Sequence, residues 1–113
     1  MRRLIPLLAI AGLAACHADP EPGTRTAKAL IAQRCASCHV VPGVRTAVGR
    51  VGPSLKGIAT QQIIAGRYEN TPGNMKRWIM HPQHLLPGTA MPDTGLTDAQ
   101  AEAIVDYLNT LDG

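Results

Sequence analysis

Five consecutive residues, Cys35-Ala36-Ser37-Cys38-His39, constrain this chain more than any other part of its 113 residues. A C-x-x-C-H run is a haem-attachment signature. Two thiolates must reach two vinyl groups on one edge of a flat ring, so they must lie within a turn of each other. The neighbouring histidine then offers an imidazole nitrogen to the iron as a fixed axial ligand. Three other uses compete for the cysteine pair. A thioredoxin-like redox pair belongs in a βαβ setting, and the sequence has no such alternation. A zinc site asks for a second ligand pair at metal spacing; His81 and His84, with two residues between them in one Pro-flanked segment, suit that poorly. A disulfide between residues three apart closes a very small loop and constrains little.

Composition points the same way. There is no Phe, one Trp (Trp78) and two Tyr (Tyr68, Tyr107), so few large side chains can fill a core. A domain of this size is already marginal on surface-to-volume grounds. A covalently held ring would supply the missing apolar bulk.

The N-terminus reads as an export signal. Met1-Arg2-Arg3 is followed by the ten-residue apolar run Leu4 to Leu13. That is too short to span a bilayer, which takes roughly 20 residues, but it has the length of a signal-peptide core. The run ends in Leu13-Ala14-Ala15-Cys16, which resembles the lipobox of bacterial lipoproteins. That resemblance implies removal of residues 1–15 and a diacylglycerol on the Cys16 sulfur. An ordinary signal peptide cleaved after Ala15 would need a small residue where Leu13 stands. With the leader go Arg2 and Arg3, leaving nine basic side chains against eight acidic ones, a net charge of +1. That balance gives no reason to expect nucleic-acid binding. The cysteine count also closes, with one for lipid and two for haem.

Residues 16–25, rich in Pro and Gly, read as a flexible tether, and residues 26–113 as the domain. A first helix is expected from Thr26, with Ala27, Leu30, Ile31 and Arg34 at helical spacing. Gly and Pro then dominate from Val40 to Ile58, which reads as loop. Thr60 to Ala65 is expected to form a short helical piece. Thr71 should cap a helix with Pro72 at its first position, continuing through Met75, Trp78 and Ile79 and ending before Pro82. Residues 82–96 read as extended. Thr97-Asp98-Ala99-Gln100 fits a capping box, after which Ala101, Ile104, Val105, Leu108 and Leu111 form one apolar stripe. No convincing alternating strand appears. The expected fold class is all-α, with three or four helices and long loops.

Candidates for the second axial ligand are Met75, Met80, Met91, His81 and His84. Methionines on a helix usually pack in a core, which speaks against Met75 and Met80. Met91 lies in Pro87-Gly88-Thr89-Ala90-Met91-Pro92, where Pro92 favours extended backbone at Met91. A loop of that kind can lay a thioether, a soft ligand suited to ferrous iron, against the ring. A bis-histidine centre through His81 or His84 is the alternative.

Over residues 26–113 the sequence resembles the bacterial class I, single-haem cytochromes c. The supporting order is a helix, Cys35-Ala36-Ser37-Cys38-His39, Gly52-Pro53-Ser54-Leu55, Trp78, the Met91 loop and an amphipathic C-terminal helix. The resemblance implies a small fold around one covalent haem c, with Cys35 and Cys38 as thioether donors and His39 and Met91 as axial ligands. It also implies that the first and last helices cross near the haem, and that the Pro53 carbonyl accepts a hydrogen bond from His39. Trp78 would line the haem pocket, although plain core filling accounts for it equally well. Tyr68 would face a haem propionate.

The function these features imply is single-electron transfer without enzymatic turnover, because two filled axial positions leave no place for a substrate. The implied partners are a reductase or dehydrogenase as donor and a terminal oxidase as acceptor, on the periplasmic side of a bacterial membrane. A tethered subunit of an oxidase or dehydrogenase complex is an alternative. A ligand-binding or peroxidase-like haem protein is another, and it would require displacement of Met91. Charge is segregated along the chain. Nine basic residues and Glu69 lie between Pro22 and Arg77, whereas five acidic residues and no Lys or Arg follow from Trp78 onward. Arg45, Arg50 and Lys56 are expected to form a positive rim for an acidic partner, unless basic and acidic helices neutralise each other on packing.

Overall fold

The two ends of the domain fold onto each other. The computed structural model describes residues 21–113, so the signal-peptide reading of residues 1–15 and the lipidation reading of Cys16 lie outside the described residues. Helix α1, Pro22–Arg34, packs against the C-terminal helix α4, Asp98–Leu108, more extensively than any other pair of elements. Ala27, Ile31 and Ala101 have no exposed surface, and Ile104, Val105 and Leu108 are buried beside them. A fully buried isoleucine contributes roughly 1.5–3 kcal/mol of apolar transfer. Leu30 and Leu111 pack on this core while remaining partly open to solvent.

Helix α1 begins at Pro22, four residues ahead of the expected Thr26. Proline at the first helical position lacks only an N–H that would be unpaired there, and its fixed φ suits the helix. Thr26 therefore lies inside the helix, and its hydroxyl donates to the Pro22 carbonyl at 3.0 Å. Residues 22–25, expected in the tether, are helical instead. The start of α4 follows expectation: Thr97 Oγ1 accepts from the Gln100 amide at 3.2 Å, and Gln100 Oε1 accepts from the Thr97 amide at 3.0 Å.

Between these helices the chain is mostly loop. A 3-10 turn, Ile58–Thr60, and a two-stranded hairpin, β1 Ile63–Ile64 with β2 Tyr68–Glu69, stand where a helical piece was expected. Ala65 (φ 52) and Gly66 (φ 65) give the turn the positive φ angles of type I′, and Arg67 N donates to the Ile64 carbonyl at 3.0 Å. Each strand has two residues, too short to show an alternating pattern. The Asn70 amide holds the 3-10 turn down by donating to the Ile58 and Gln61 carbonyls at 2.9 and 2.8 Å.

Helix α2, Pro72–Met80, starts as expected, with Thr71 Oγ1 accepting from the Asn74 amide at 3.1 Å. A short helix α3, Pro82–Leu85, follows it in a stretch expected to be extended. Pro82 stops α2 and, being pre-set for a first helical position, opens the next turn. The fold thus has four α-helices and one small hairpin among the described residues.

Candidate functional site

Helix α1 runs directly into the cysteine turn. Cys35 N donates to the Ile31 carbonyl at 2.9 Å, and Cys38 N and His39 N both donate to the Cys35 carbonyl, at 3.1 and 2.9 Å. The two thiols and the imidazole are thereby carried on one extra helical turn. Cys35 and Cys38 are both free and half-buried. Burial, and then proximity to Cys38, push the Cys35 thiol up to about 11, so it is neutral at neutral pH. Among the described residues no cluster of three or more His, Cys, Asp or Glu could hold a metal ion by itself. A zinc reading of the cysteine turn therefore lacks its remaining ligands there.

The segment from Gly49 to Pro53 lies flat on this turn. Gly49 N is shared between the Ala36 and His39 carbonyls at 3.1 and 3.2 Å, and Gly52 N donates to the Cys38 carbonyl at 2.7 Å. No side chain fits at either glycine. A Cβ on Gly49 would fall within 3.0 Å of the Ser37–Cys38 backbone, and one on Gly52 within 3.0 Å of three His39 ring atoms. The next residue holds the ring in place: His39 Nδ1 lies 2.7 Å from the Pro53 carbonyl oxygen, the contact the resemblance implies. A carbonyl only accepts, so Nδ1 carries the proton and the lone pair of Nε2 is left for a metal. The replacement Gly52→Ala is expected to push the ring off this position and so weaken the iron ligation expected of His39. Positioning contacts of this kind are typically worth about 10–100-fold in metal affinity or activity. Loss of the low-spin optical spectrum at lower acid or denaturant concentration than in the wild type would show it; unchanged curves would contradict it.

On the methionine side, Met91 is half-buried in the loop between α3 and α4. Met75 is buried in the core with Ile79. Met80 is partly buried against that core, while His81 and His84, on either side of Pro82-Gln83, are exposed. The loop is braced from the α2–α3 corner. Gln83 Nε2 donates to the Thr89 and Met91 carbonyls, both at 2.7 Å, and Gln83 N donates to Asp93 Oδ1 at 3.2 Å. The buried Thr94 hydroxyl donates to the Ile79 carbonyl at 2.9 Å.

Trp78 is half-buried against the core. Tyr68, expected to face a haem propionate, donates its hydroxyl to the Leu85 carbonyl at 2.7 Å. A propionate is acceptor-only and would have to compete with Leu85 for that single proton. Tyr107, given no role by sequence reasoning, donates to the Pro42 carbonyl at 2.6 Å, and Gly43 (φ +82) presents only backbone beside it. Lys28 sits over its ring at 5.7 Å. Helices α1 and α4 are thus tied to the loop behind His39. Gly49 and Gln83 were also missed as site residues; nothing in their local sequence distinguishes them from a loop glycine and a surface amide.

The cytochrome c family model matches residues 24–112, and the chain belongs to that family. It accordingly holds haem c covalently. The residues present fit such a group, with two unpaired thiols a turn apart, an imidazole with one free nitrogen, and half-buried Leu30, Leu55 and Trp78 beside the core. The chain is 34% identical over 106 residues to cytochrome c2 of Rhodopila globiformis, covering 82% of this chain and 93% of that protein. It is 32% identical over 95 residues to cytochrome c oxidase subunit 2 of Bacillus sp. (strain PS3), covering 80% of this chain and 27% of that one. The chain therefore spans about a quarter of the length of that subunit, and likewise of its Bacillus subtilis counterpart. In fold it is similar to the c-type cytochrome SorU from Sinorhizobium meliloti, with a TM-score of 0.57 at 23% identity over 83% of this chain and 95% of that one.

Proposed function

We propose that this protein is a single-haem electron carrier, with the ring bonded to Cys35 and Cys38 and the iron held by His39 and Met91. The observation that carries this reading is the His39–Pro53 hydrogen bond, which occupies Nδ1 and leaves the Nε2 lone pair free. When bound, the haem supplies one-electron Fe(III)/Fe(II) chemistry. The chain's own residues fix the imidazole and hold the methionine loop, and half-buried Leu30, Leu55 and Trp78 would offer the ring apolar surface. Thioether ligation raises the reduction potential. With both axial positions filled there is no place for a substrate, so no turnover is expected. An optical redox titration of the mature protein should give a single one-electron wave, and the reduced form should bind carbon monoxide slowly at neutral pH. Rapid binding would favour the ligand-binding alternative.

The proposed partner is an acidic redox protein. Arg45, Arg50 and Lys56 are exposed, and the sole ion pair among the described residues is Lys76–Asp98 at 3.0 Å. That pair joins basic α2 to acidic α4, whereas Arg45, Arg50 and Lys56 form no ion pair there and are available to another molecule. Val48 and Val51, 67% and 74% exposed, add apolar surface beside Arg45 and Arg50. Reversing Arg45 and Arg50 to Glu should slow electron transfer with the physiological partner severalfold at low salt and little at high salt. Rates that do not change would remove the docking surface. The oxidase-subunit likeness favours a second reading, a tethered cytochrome working within or beside an oxidase, which co-purification in detergent would reveal. Anchoring through Cys16 on the periplasmic side completes the proposal, on the strength of the Leu13-Ala14-Ala15-Cys16 run.

A further inference from the structure

We infer that Gln83 is the positioning residue for the axial methionine, so that this one side-chain amide sets how tightly Met91 holds the iron; the inference rests on the ligand assignment proposed above. A carboxamide has two N–H donors. Both are committed to carbonyls of the methionine loop, Thr89 O and Met91 O, each at 2.7 Å. Two carbonyl acceptors also settle which way the amide points, since its oxygen could bond to neither. Among the described residues nothing else hydrogen-bonds to the Met91 backbone. The neighbouring links reach other parts of the loop, through Asp93 from the Gln83 backbone and through Thr94 to Ile79.

The anchor itself is well placed. Gln83 is in the short helix α3, directly after buried Pro82, so its backbone is held by the end of the core helix α2. The loop it grips has no regular hydrogen bonding of its own, apart from the Thr89 amide on the Leu86 carbonyl at 3.1 Å. Residues 89–91 would otherwise have several backbone conformations open to them, and only some would present the thioether to iron. Ordering the loop before ligation removes that entropy cost from the iron–sulfur bond. Gln83 touches no reacting atom. Its effect passes through the backbone of Met91.

The experiment measures imidazole binding to the ferric, haem-loaded protein, because imidazole enters only where the thioether lets go. In Gln83→Glu an acceptor-only carboxylate faces two carbonyls, and both hydrogen bonds are lost. Two such bonds of ordinary net worth correspond to roughly a 30-fold change in an equilibrium constant, so imidazole affinity should rise by that order. The Gln83→Asn chain retracts the amide by one methylene and should show a smaller rise of the same sign. It carries the test if glutamate prevents folding. Thr97→Ala, which loosens the cap of α4, is the control: it should lower the unfolding midpoint and leave imidazole affinity alone. Affinities for the Gln83 variants within twofold of wild type, with the wild-type methionine–iron band present, would overturn the inference. A wild type that binds imidazole as readily as Met91→Ala would sink the methionine assignment first, and this inference with it.

Discussion

Serine at both Cys35 and Cys38 is expected to give a mature chain whose mass includes no porphyrin and whose solution is colourless. The two thiols sit a turn apart on the continuation of α1 and are the only cysteines among the described residues. A hydroxyl does not form the thioether, so covalent capture stops. The consequence for stability should be large. Leu30, Leu55, Trp78 and Met80 are only partly buried against the core, and without a ring those surfaces stay wet. A domain with a total margin of about 5–15 kcal/mol has little to spare, and a covalently held ring adds to that margin by burying apolar surface against it. The double variant should therefore unfold at lower denaturant concentration than the loaded protein and with a shallower transition. The single variants should each retain one bond and intermediate behaviour. Mass spectrometry of the wild-type mature protein reads the attachments together: one porphyrin, and one diacylglyceryl group if Cys16 is modified. A double-serine chain that still carried a covalent porphyrin would contradict the assignment of these thiols.

Replacing Met91 with alanine should abolish the far-red methionine–iron charge-transfer band and admit carbon monoxide rapidly to the reduced protein. The reduction potential should fall by an amount on the order of 0.2 V, within the range of about 0.8 V over which axial ligands move haem potentials. Soft sulfur favours the ferrous state, and removing it leaves water or nothing in that position. The fold should survive. Gln83 binds the backbone oxygen of residue 91, not its side chain, so the loop keeps its braces when the thioether is gone. Spectra and potential should thus change far more than the unfolding midpoint. If potential and band stay as in the wild type, Met91 is not the ligand, and His81 or His84 becomes the next candidate.

Legibility followed the range of the interaction. The haem turn and the caps of α2 and α4 could be read directly, because each is a local pattern with a local cause. Thr97 and Gln100 satisfy each other's backbone three residues apart. Local patterns with two good solutions misled. Thr26 could cap a helix and Pro22 could open one, and the helix took the earlier start, which placed Ala27 and Ile31 inside the helix on the α4 contact. The hairpin at Ile63–Glu69 was hidden by strands too short to alternate and a turn built on Ala-Gly.

Alone, the amino-acid order determined the chemistry of the protein. Two thiols and an imidazole on one turn, and a thioether before proline, name a haem and a candidate pair of ligands because those donors must be close in sequence or free in a loop. Tertiary structure decided what holds them. The carbonyl of Pro53 reaches His39 across 14 residues, Tyr107 reaches Pro42 across 65, and the Gln83 amide finds two carbonyls up to eight residues ahead. Contacts like these depend on where backbones pass after folding. Backbone groups are the same at every residue, so the letters of the sequence carry no mark of which ones will meet.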